Sequence, residues 1–316
     1  MTPIFGPVPS RRFGLSLGID LSPGKKRCNF DCLYCELAPA KPVATIDDPP
    51  TVEEITGALE KALKEHPAID VITLTANGEP TLYPRLDELI DRIDTVKKGA
   101  KTLILSNAST IADPRIQKAL AKLDMVKLSL DCATPRCFKR LDRPLEGLTL
   151  ESIVEGIRTF RQRFHKEMIL EILMVRGLNT TENEIEAFNR ILPTLGADRI
   201  DLGTVDRPPA YPVEALSYEE LHTLAQRFDP SLPIHLTTRH PSKKARTAYT
   251  DAEILATLTK RPLTLDDIHT LFDDETLRRF ENLLANGRIT KKERGGLTFY
   301  GTLFSQQKEK KSPKTP

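Results

Sequence analysis

The chain has 316 residues, of which 39% are hydrophobic and 28% charged. A chain of this length can bury about three quarters of its unfolded surface, so a large domain and a smaller one, each with an apolar core, are expected. No run of about 18 apolar residues occurs, and the N-terminal stretch MTPIFGPVPSRRFG is not apolar enough for a signal peptide. We therefore expect a cytoplasmic protein and not a membrane protein. The net charge of +2 indicates no particular partner, but eight Lys or Arg residues against two Glu from Arg288 onward make the C-terminus basic.

Between residues 15 and 240, short apolar runs rich in β-branched residues alternate with stretches of helical periodicity. This alternation predicts a parallel sheet wrapped by helices, and six strands fall short of the eight that close a barrel. We therefore expect an α/β fold, an open partial (β/α)6 TIM-like barrel, with a doubly wound sheet as the alternative. In both architectures ligands bind beyond the C-terminal ends of the strands. The predicted strands are Ser16–Leu21, Val71–Ala76, Thr102–Asn107, Met125–Asp131, Met168–Val175 and Arg199–Val205.

After Thr247 the pattern changes to three short helical stretches followed by RITKKERGGLTFYG, which is typical of a hairpin turning at Gly295–Gly296. Asp273 is placed to cap the third helix and Gly287 to end it. Three helices and a hairpin predict a small C-terminal winged-helix-like domain. The predicted organisation is a partial barrel at residues 1–240, a linker at 241–247, the winged-helix-like domain at 248–303 and a disordered basic tail at 304–316.

Three of the five cysteines lie close together in RCNFDCLYCE, where Cys28, Cys32 and Cys35 have the spacing C-x3-C-x2-C. An odd number of cysteines and the crowding of three favour reduced, metal-binding thiols over a disulfide framework. A structural zinc site would need a fourth ligand, which only the fold could supply, for example from His66. A four-iron cluster held by three thiolates would instead leave one iron open to a substrate or cofactor.

This spacing, with Tyr34 just before the last cysteine and the first predicted strand before the loop, resembles the radical S-adenosylmethionine (radical SAM) superfamily. The resemblance implies that Cys28, Cys32 and Cys35 hold one [4Fe-4S] cluster and that S-adenosyl-L-methionine (SAM) chelates the fourth iron. It also implies reductive cleavage of SAM to a 5'-deoxyadenosyl radical, with electrons from a donor such as flavodoxin or ferredoxin.

Further motifs follow at the ends of the next strands. NGEP follows the second predicted strand, where the superfamily binds the amino group of SAM; alone, GEP is a common turn sequence. SNA and SLD end the third and fourth strands, where the superfamily contacts the ribose and carboxylate of SAM; ordinary polar caps are the alternative. Arg176 could neutralise the SAM carboxylate, hold an anionic substrate or form a surface salt bridge. The candidate SAM-binding residues are thus Gly78, Glu79, Pro80, Ser106, Asn107, Ser129, Asp131 and Arg176.

The order GEPTLYP, SNA, SLD, RLDRPL and VRGLN, within residues 5–210, resembles the wyosine-synthase-like Fe-S oxidoreductases. These are relatives of tRNA 4-demethylwyosine synthase whose own role is unassigned. No cysteine precedes Cys28, so the synthase's second cluster is not expected. In VRGLN, Arg176 and Gly177 stand where the synthase has Lys and Gly. We therefore transfer no substrate-lysine role to Lys127. Cys132 and Cys137 are predicted to be reduced structural thiols, because a second cluster would need at least one more ligand.

The leading hypothesis is a radical SAM enzyme that modifies tRNA or another RNA, with no catalytic side chain assigned. Basic residues of the third helix and the hairpin could contact phosphates, although the first forty residues of the winged-helix-like domain carry four basic and eight acidic residues, which argues against a strong DNA binder. One alternative is a maturase or activase acting on a protein or peptide. Another is an iron-sulfur redox sensor that regulates transcription through the winged helix, which would leave NGEP and the strand pattern unexplained. The basic residues in question are Arg278, Arg279, Lys291, Lys292 and Arg294.

Overall fold

The computed structural model of the chain describes residues 2–302, apart from residues 11–12, 237–245, 247, 261 and 295–296. The predicted tail lies outside the described residues, as do the predicted hairpin turn and all of the predicted linker except Arg246. Within the described ranges, no helix is both long and apolar enough to cross a bilayer.

Eight strands form the main sheet, and their order in the sheet is their order in the chain. They are β1 (Ile4–Ser10), β2 (Gly14–Asp20), β3 (Val71–Thr75), β4 (Lys101–Ser106), β5 (Met125–Ser129), β6 (Glu167–Met174), β7 (Arg199–Thr204) and β8 (Ile234–Leu236). β1 and β2 are antiparallel, and every later pair is parallel. Parallel neighbours require long crossovers, so the C-terminal ends of β2 to β8 all lie at one edge of the sheet.

Helices supply the crossovers and cover one face of the sheet. They are α1 (Val52–Glu65), α2 (Leu86–Val96), α3 (Pro114–Leu120), α4 (Pro135–Leu141), α5 (Leu150–Arg161), α6 (Glu182–Ile191) and α7 (Tyr218–Ala225). The apolar stripe of α1 is typical, since Ile55 and Leu59 are completely buried in the same core as Ile72 of β3. α1 begins with a capping box in which Thr51 and Glu54 each accept a hydrogen bond from the backbone N–H of the other.

The opposite face of the sheet, here called the inner face, has a different composition. A small apolar cluster at the N-terminal ends of the strands closes it there, and it consists of Phe13, Val71, Leu103 and Met125. Further along, Lys127 of β5 forms salt bridges with Glu171 of β6 and with Asp201 of β7, the latter at 3.2 Å. The inner face therefore becomes polar toward the edge where the strands end.

All six predicted strands are present within two residues of their predicted bounds, and the fold is α/β with a mostly parallel sheet, compatible with a partial barrel. The sequence pattern missed the edge strands β1 and β8 and the short helices α3, α4 and α7.

A second apolar core lies in the C-terminal part of the chain and includes Ile254 and Phe272. Asp273 caps the third helix there by accepting from the N–H of Thr276 at 2.8 Å, and Gly287 follows its end with a positive φ of 69°, both as predicted. The elements of this part are α8 (Asp251–Lys260), β9 (Leu263–Thr264), α9 (Leu265–Leu271), α10 (Asp274–Ala285), β10 (Ile289–Arg294) and β11 (Leu297–Thr302). The three strands form an antiparallel sheet in the order β10–β11–β9.

Candidate active site

The loop that follows β2, at residues 21–50, carries Cys28, Cys32 and Cys35, and all three are free thiols. We call this segment the cysteine loop. Its backbone pairs with the loop that follows β3: the N–H of Arg27 donates to the carbonyl oxygen of Asn77 at 2.7 Å, and the N–H of Glu79 donates to the carbonyl oxygen of Arg27 at 2.9 Å. The predicted metal ligands and the NGEP motif are therefore directly joined.

Gly78 makes this pairing possible. Its φ is +142°, and a Cβ atom on it would lie 1.8 Å from the carbonyl oxygen of Arg27 and 2.9 Å from the backbone nitrogen of Cys28. Any larger residue would push the cysteine loop away, and the backbone conformation itself favours glycine. The glycine of NGEP thus has a steric reason that involves the cysteine loop.

A second segment, the one containing RLDRPL, holds the cysteine loop from another side. The N–H of Leu33 donates to the carbonyl oxygen of Leu141 at 2.9 Å, and the N–H of Leu145 donates to that of Asn29 at 2.7 Å. Between these contacts, the N–H of Asp31 donates to the carbonyl oxygen of residue 142 at 3.1 Å. The loop therefore runs beside this segment as a strand does beside its neighbour, without being part of the sheet.

A third segment, the loop after β7, closes over the cysteine loop. The N–H of Ala210 donates to the carbonyl oxygen of Cys35 at 2.8 Å, and the hydroxyl of Tyr211 donates to Asp31 at 2.5 Å. Asp31 is also paired with Lys26 at 3.0 Å and with Arg143 at 3.3 Å, and its side chain is only 7% exposed. Burial opposes ionisation, but hydrogen bonds from Tyr211 and Lys26 outweigh it and lower the pKa of Asp31. This buried carboxylate therefore ties two other segments, the RLDRPL segment and the loop after β7, to the cysteine loop.

The three thiols lie in an environment rich in acceptors and carboxylates. Burial, reinforced by the carboxylate of Glu79, raises the pKa of Cys28 to about 12, and burial also raises the pKa of Cys32 and of Cys35. A group of three thiolates would be stable here only if a cation compensated them. Thiolate ligands bind Fe–S clusters and zinc, so the donor set fits a metal centre that must bring its own positive charge.

Glu79 is the most heavily hydrogen-bonded of the predicted site residues. Its Oε1 accepts from the N–H and the hydroxyl of Thr81, at 3.0 and 2.6 Å, and from the hydroxyl of Ser106 at 2.8 Å. Its Oε2 accepts from the N–H of Asn107 at 2.7 Å. Burial raises the pKa of Glu79, against the effect of these four bonds. The carboxylate therefore connects the ends of β3 and β4, and Pro80 continues the motif as the first residue of a 3-10 helix.

Asn107 links the end of β4 to the cysteine loop. Its Nδ2 donates to Oδ1 of Asn29 at 3.0 Å and lies 3.6 Å from Sγ of Cys28. Its Oδ1 accepts from the N–H of Ser109 at 3.0 Å and from its hydroxyl at 2.5 Å. The structure thus brings Asn107 to the first cysteine, and its predicted contact with SAM stays a prediction.

A cavity of about 10 Å³, the size of one water molecule, lies beside the cysteine loop, where β4 and β5 end. Its polar lining includes Asn107, Ser129, Asp131 and Asp142. Asp142 is 3% exposed, and its Oδ1 has no hydrogen-bond partner in the part of the chain that the structure describes. The same carboxyl group hydrogen-bonds with the thiol of Cys32 and, because it is buried, has a strongly raised pKa. An orphaned acceptor in a cavity beside a thiol is where a polar ligand group fits.

Asp131, at the end of β5, is buried and held on both oxygens. Oδ2 accepts from the hydroxyl of Tyr34 at 2.5 Å, and Oδ1 accepts from the N–H of Leu173 at 2.6 Å. Burial raises the pKa of Asp131 to about 7. The aromatic residue before the last cysteine thereby connects the cysteine loop to the end of β5.

Arg176 is the one predicted site residue that the structure directs elsewhere. Its guanidinium forms a bidentate salt bridge with Glu220, with both distances 2.5 Å, and contacts Glu214 at 3.5 Å. The side chain is 43% exposed. Three roles were considered for Arg176: neutralising the SAM carboxylate, holding an anionic substrate and forming a surface salt bridge. The observed contacts are those of a surface salt bridge.

The prediction that Cys132 and Cys137 are reduced thiols is wrong, because the two form a disulfide with a Cα–Cα distance of 5.5 Å. The turn between the end of β5 and the start of α4 brings them into the range that a disulfide requires. Glu184 accepts hydrogen bonds from the N–H of Ala133 and from the N–H and hydroxyl of Thr134, and so stabilises that turn. The pair is therefore not available as metal ligands in this state.

Three supporting residues were missed by sequence reasoning: Asp31, Asp142 and Tyr211. Asp31 lies inside the cysteine motif and Asp142 inside RLDRPL, so each had a signal, but neither had been given a role. Tyr211 had none, because its contact with Asp31 joins residues 180 positions apart.

A three-cysteine loop at the C-terminal edge of a mostly parallel α/β sheet defines a recognised class of iron-sulfur enzyme. The chain belongs to the Radical SAM superfamily, whose sequence model matches residues 24–190. More particularly, it is 41% identical to a UPF0026 protein of Helicobacter pylori, over 94% of this chain and 96% of that protein.

A more distant relative is the S-adenosyl-L-methionine-dependent tRNA 4-demethylwyosine synthase of Arabidopsis thaliana, 22% identical over 66% of this chain and 34% of that protein. Among solved structures, a radical SAM methyltransferase from Sphaerobacter thermophilus is similar, with a TM-score of 0.54 and 15% identity over 70% of this chain and 66% of that one. This last likeness concerns the fold.

Proposed function

We propose that the protein holds one [4Fe-4S] cluster through Cys28, Cys32 and Cys35 and binds SAM at the iron to which the chain offers no ligand. The observation that carries this is the cysteine inventory. The chain has five cysteines, and the two outside the loop are bonded to each other. No further thiol can complete a four-cysteine site, so one corner is left for a cofactor.

When bound, the cluster would supply the electron that splits SAM into methionine and a 5'-deoxyadenosyl radical. The chain's contribution is to hold and shield the reactants. Asp31, Lys26 and Tyr211 hold the cysteine loop, and Gly78 permits its contact with the NGEP loop. Buried carboxylates nearby favour a cationic ligand, and SAM carries both a sulfonium and an ammonium group.

The C-terminal ends of β3, β4 and β5, beside the cysteine loop, are the proposed SAM site. Asn107, Ser129 and Asp131, whose motifs suggest contact with SAM, lie there, and Oδ1 of Asp142 adds an acceptor that lacks a partner among the described residues. Glu79 already accepts four hydrogen bonds, three of them at Oε1, so a direct contact with SAM would use Oε2 or the backbone of the NGEP loop. Arg176 is left out of the proposed ligand set.

We further propose an RNA substrate, with tRNA first. Two observations support this proposal. The chain resembles tRNA 4-demethylwyosine synthase, whose name describes tRNA modification. The second observation is the order of elements after residue 250. The order α8, β9, α9, α10, β10, β11 resembles that of a winged helix, and β10 and β11 are its proposed wing. Lys291 and Lys292 of β10 are exposed and could contact phosphates. Electrons would come from a flavodoxin- or ferredoxin-type donor in the cytoplasm.

Nucleoside analysis tests this proposal. Bulk tRNA from cells with and without the gene is digested and compared by mass spectrometry, with the wild-type gene and Cys32→Ala returned separately. A nucleoside that disappears and is restored only by the wild-type gene would support the proposal. Identical nucleosides in all four samples would contradict a tRNA substrate and leave the protein-directed maturase as the next candidate.

Binding of purified tRNA tests the role of the wing. The logarithm of the tRNA association constant decreases with log salt, by about 0.7 to 0.9 in slope for each phosphate contact. If both lysines contact phosphates, the slope should become shallower by about 1.4 to 1.8 in Lys291→Ala/Lys292→Ala. Lys118→Ala, on the exposed side of α3, is the matched control and should leave the slope unchanged. An unaltered slope in the double variant would exclude the wing from RNA binding.

A further inference from the structure

Three metal-binding side chains lie together far from the cysteine loop in sequence, where α1 meets α8. Glu65 is in the last turn of α1, His66 follows it as the C-cap, and Glu253 is in the first turn of α8. One ligand atom from each lies within 4.8 Å of the other two. An imidazole and two carboxylates form a donor set suited to a first-row divalent metal such as zinc.

Two of the three side chains are oriented by other groups. Oε2 of Glu253 accepts from the N–H of Thr250 at 2.7 Å and from its hydroxyl at 2.8 Å, which leaves Oε1 facing Nε2 of His66 at 2.7 Å. The backbone N–H of His66 donates to Ala62 at 2.8 Å and anchors the end of α1. The bonds to Thr250 and Ala62 therefore hold Glu253 and the end of α1 in place without using the atoms that would face a metal.

The structure also has room for a hydrated metal beside these groups. Glu65, His66 and Glu253 line one wall of a cavity of about 180 Å³ between β1, α1 and α8. The rest of its lining is largely apolar and includes Ile4 and Leu17, together with Lys61, whose ammonium lies 4.0 Å from Oε1 of Glu65 and would have to turn away when a cation binds. Three protein ligands with a water in the fourth position are the usual arrangement of an open zinc site, and the cavity can hold that water.

We propose that Glu65, His66 and Glu253 bind a divalent metal ion, zinc by preference, which fastens the C-terminal unit to the barrel. Among the described residues, a hydrogen bond between His66 and Glu253 joins α1 to α8, and α8 also packs against β1. The metal would replace that bond with coordination from both sides. The site is independent of the iron-sulfur centre, since it shares no residue with the cysteine loop.

Zinc titration of the cluster-loaded protein tests the proposal. Protein reconstituted anaerobically is dialysed against increasing Zn²⁺, and zinc and iron per chain are measured together. Constant iron shows that zinc has not displaced the cluster. We expect one zinc per chain, with affinity lowered more than about tenfold in His66→Ala and in Glu253→Gln, because loss of even an outer partner costs about 10- to 100-fold. Glu60→Gln, on the exposed side of α1, is the matched control and should bind as the wild type does.

Thermal unfolding gives a second readout that does not depend on activity. Zinc should raise the melting temperature of the wild type and of Glu60→Gln, and should raise it much less in Glu253→Gln, because a ligand stabilises only the state that binds it. The isosteric Glu253→Gln keeps the proposal testable if His66→Ala folds poorly. Equal zinc affinity in the wild type and both site variants, or zinc binding only at adventitious levels, would overturn the proposal.

Discussion

Replacing Glu79 is expected to separate support of the site from binding of its cofactor. The residue is 1% exposed and accepts four hydrogen bonds. In Glu79→Gln, the one remaining acceptor oxygen can face Thr81 and Ser106 and keep three of the four, while the amide nitrogen faces the N–H of Asn107. Glu79→Ala removes every acceptor.

The expected losses in the free energy of unfolding follow from this count. Glutamine loses one hydrogen bond to an ionised group, which costs about 1.5–3 kcal/mol. Alanine leaves the backbone N–H groups of Thr81 and Asn107 buried without an acceptor, at about 1–3 kcal/mol each, or about 2–6 kcal/mol together. The hydroxyls can turn to other acceptors and are not counted. Alanine should therefore be the less stable of the two variants by about 0.5–3 kcal/mol.

Urea denaturation of the cluster-free proteins, in non-reducing anaerobic buffer, measures these differences. Glu60→Gln, exposed on α1, should stay within about 0.5 kcal/mol of the wild type. After reconstitution, Glu79→Gln should keep its iron but bind SAM more weakly in equilibrium dialysis. If Ala and Gln both unfold like the wild type, the carboxylate is not the acceptor that joins β3 to β4, and the reasoning fails.

Three further results are expected. Gly78→Ala should abolish most iron uptake on reconstitution, because its Cβ would overlap the carbonyl oxygen of Arg27, 1.8 Å away. The control Gly57→Ala, with no atom within 4 Å of its new Cβ, should keep full iron and add about 0.5–1 kcal/mol to helix stability. Equal iron in the two variants would contradict the steric account. Tyr211→Phe removes the hydrogen bond to the buried carboxylate of Asp31, which is worth about 1.5–3 kcal/mol. Iron release to a chelator should therefore become faster by roughly tenfold or more. An unchanged rate would mean that the loop after β7 does not hold the cysteine loop closed. Denatured, cluster-free protein should take up three alkyl groups before reduction and five after it, and five before reduction would show that Cys132 and Cys137 are not bonded.

The central strands were predictable because both of their faces are buried, which gives short continuous runs of apolar, β-branched residues. β1 has no such run. Its sequence IFGPVPS contains two prolines and a glycine, which break the pattern and are tolerated because the strand is at the edge of the sheet. β8 is three residues long, too short for any periodicity.

The site was predictable where its residues are close in sequence or end neighbouring strands. Parallel topology brings strand ends to one edge, which is why Asn107 and Asp131 both contact the cysteine loop. Contacts such as that between Tyr34 and Asp131, 97 residues apart, depend on the packing of the whole sheet and leave no local signal. The Cys132–Cys137 bond was missed for a different reason, since it depends on a turn whose geometry the intervening residues do not determine alone.

The most direct test of the central claim is the formation of 5'-deoxyadenosine. Anaerobically reconstituted protein, reduced with dithionite and given SAM, is quenched in acid and analysed by liquid chromatography. The wild type should produce 5'-deoxyadenosine, and Cys32→Ala, which removes one of the three proposed cluster ligands, should produce none. A fully loaded wild-type protein that leaves SAM intact, or a Cys32→Ala variant that cleaves it equally well, would contradict the account.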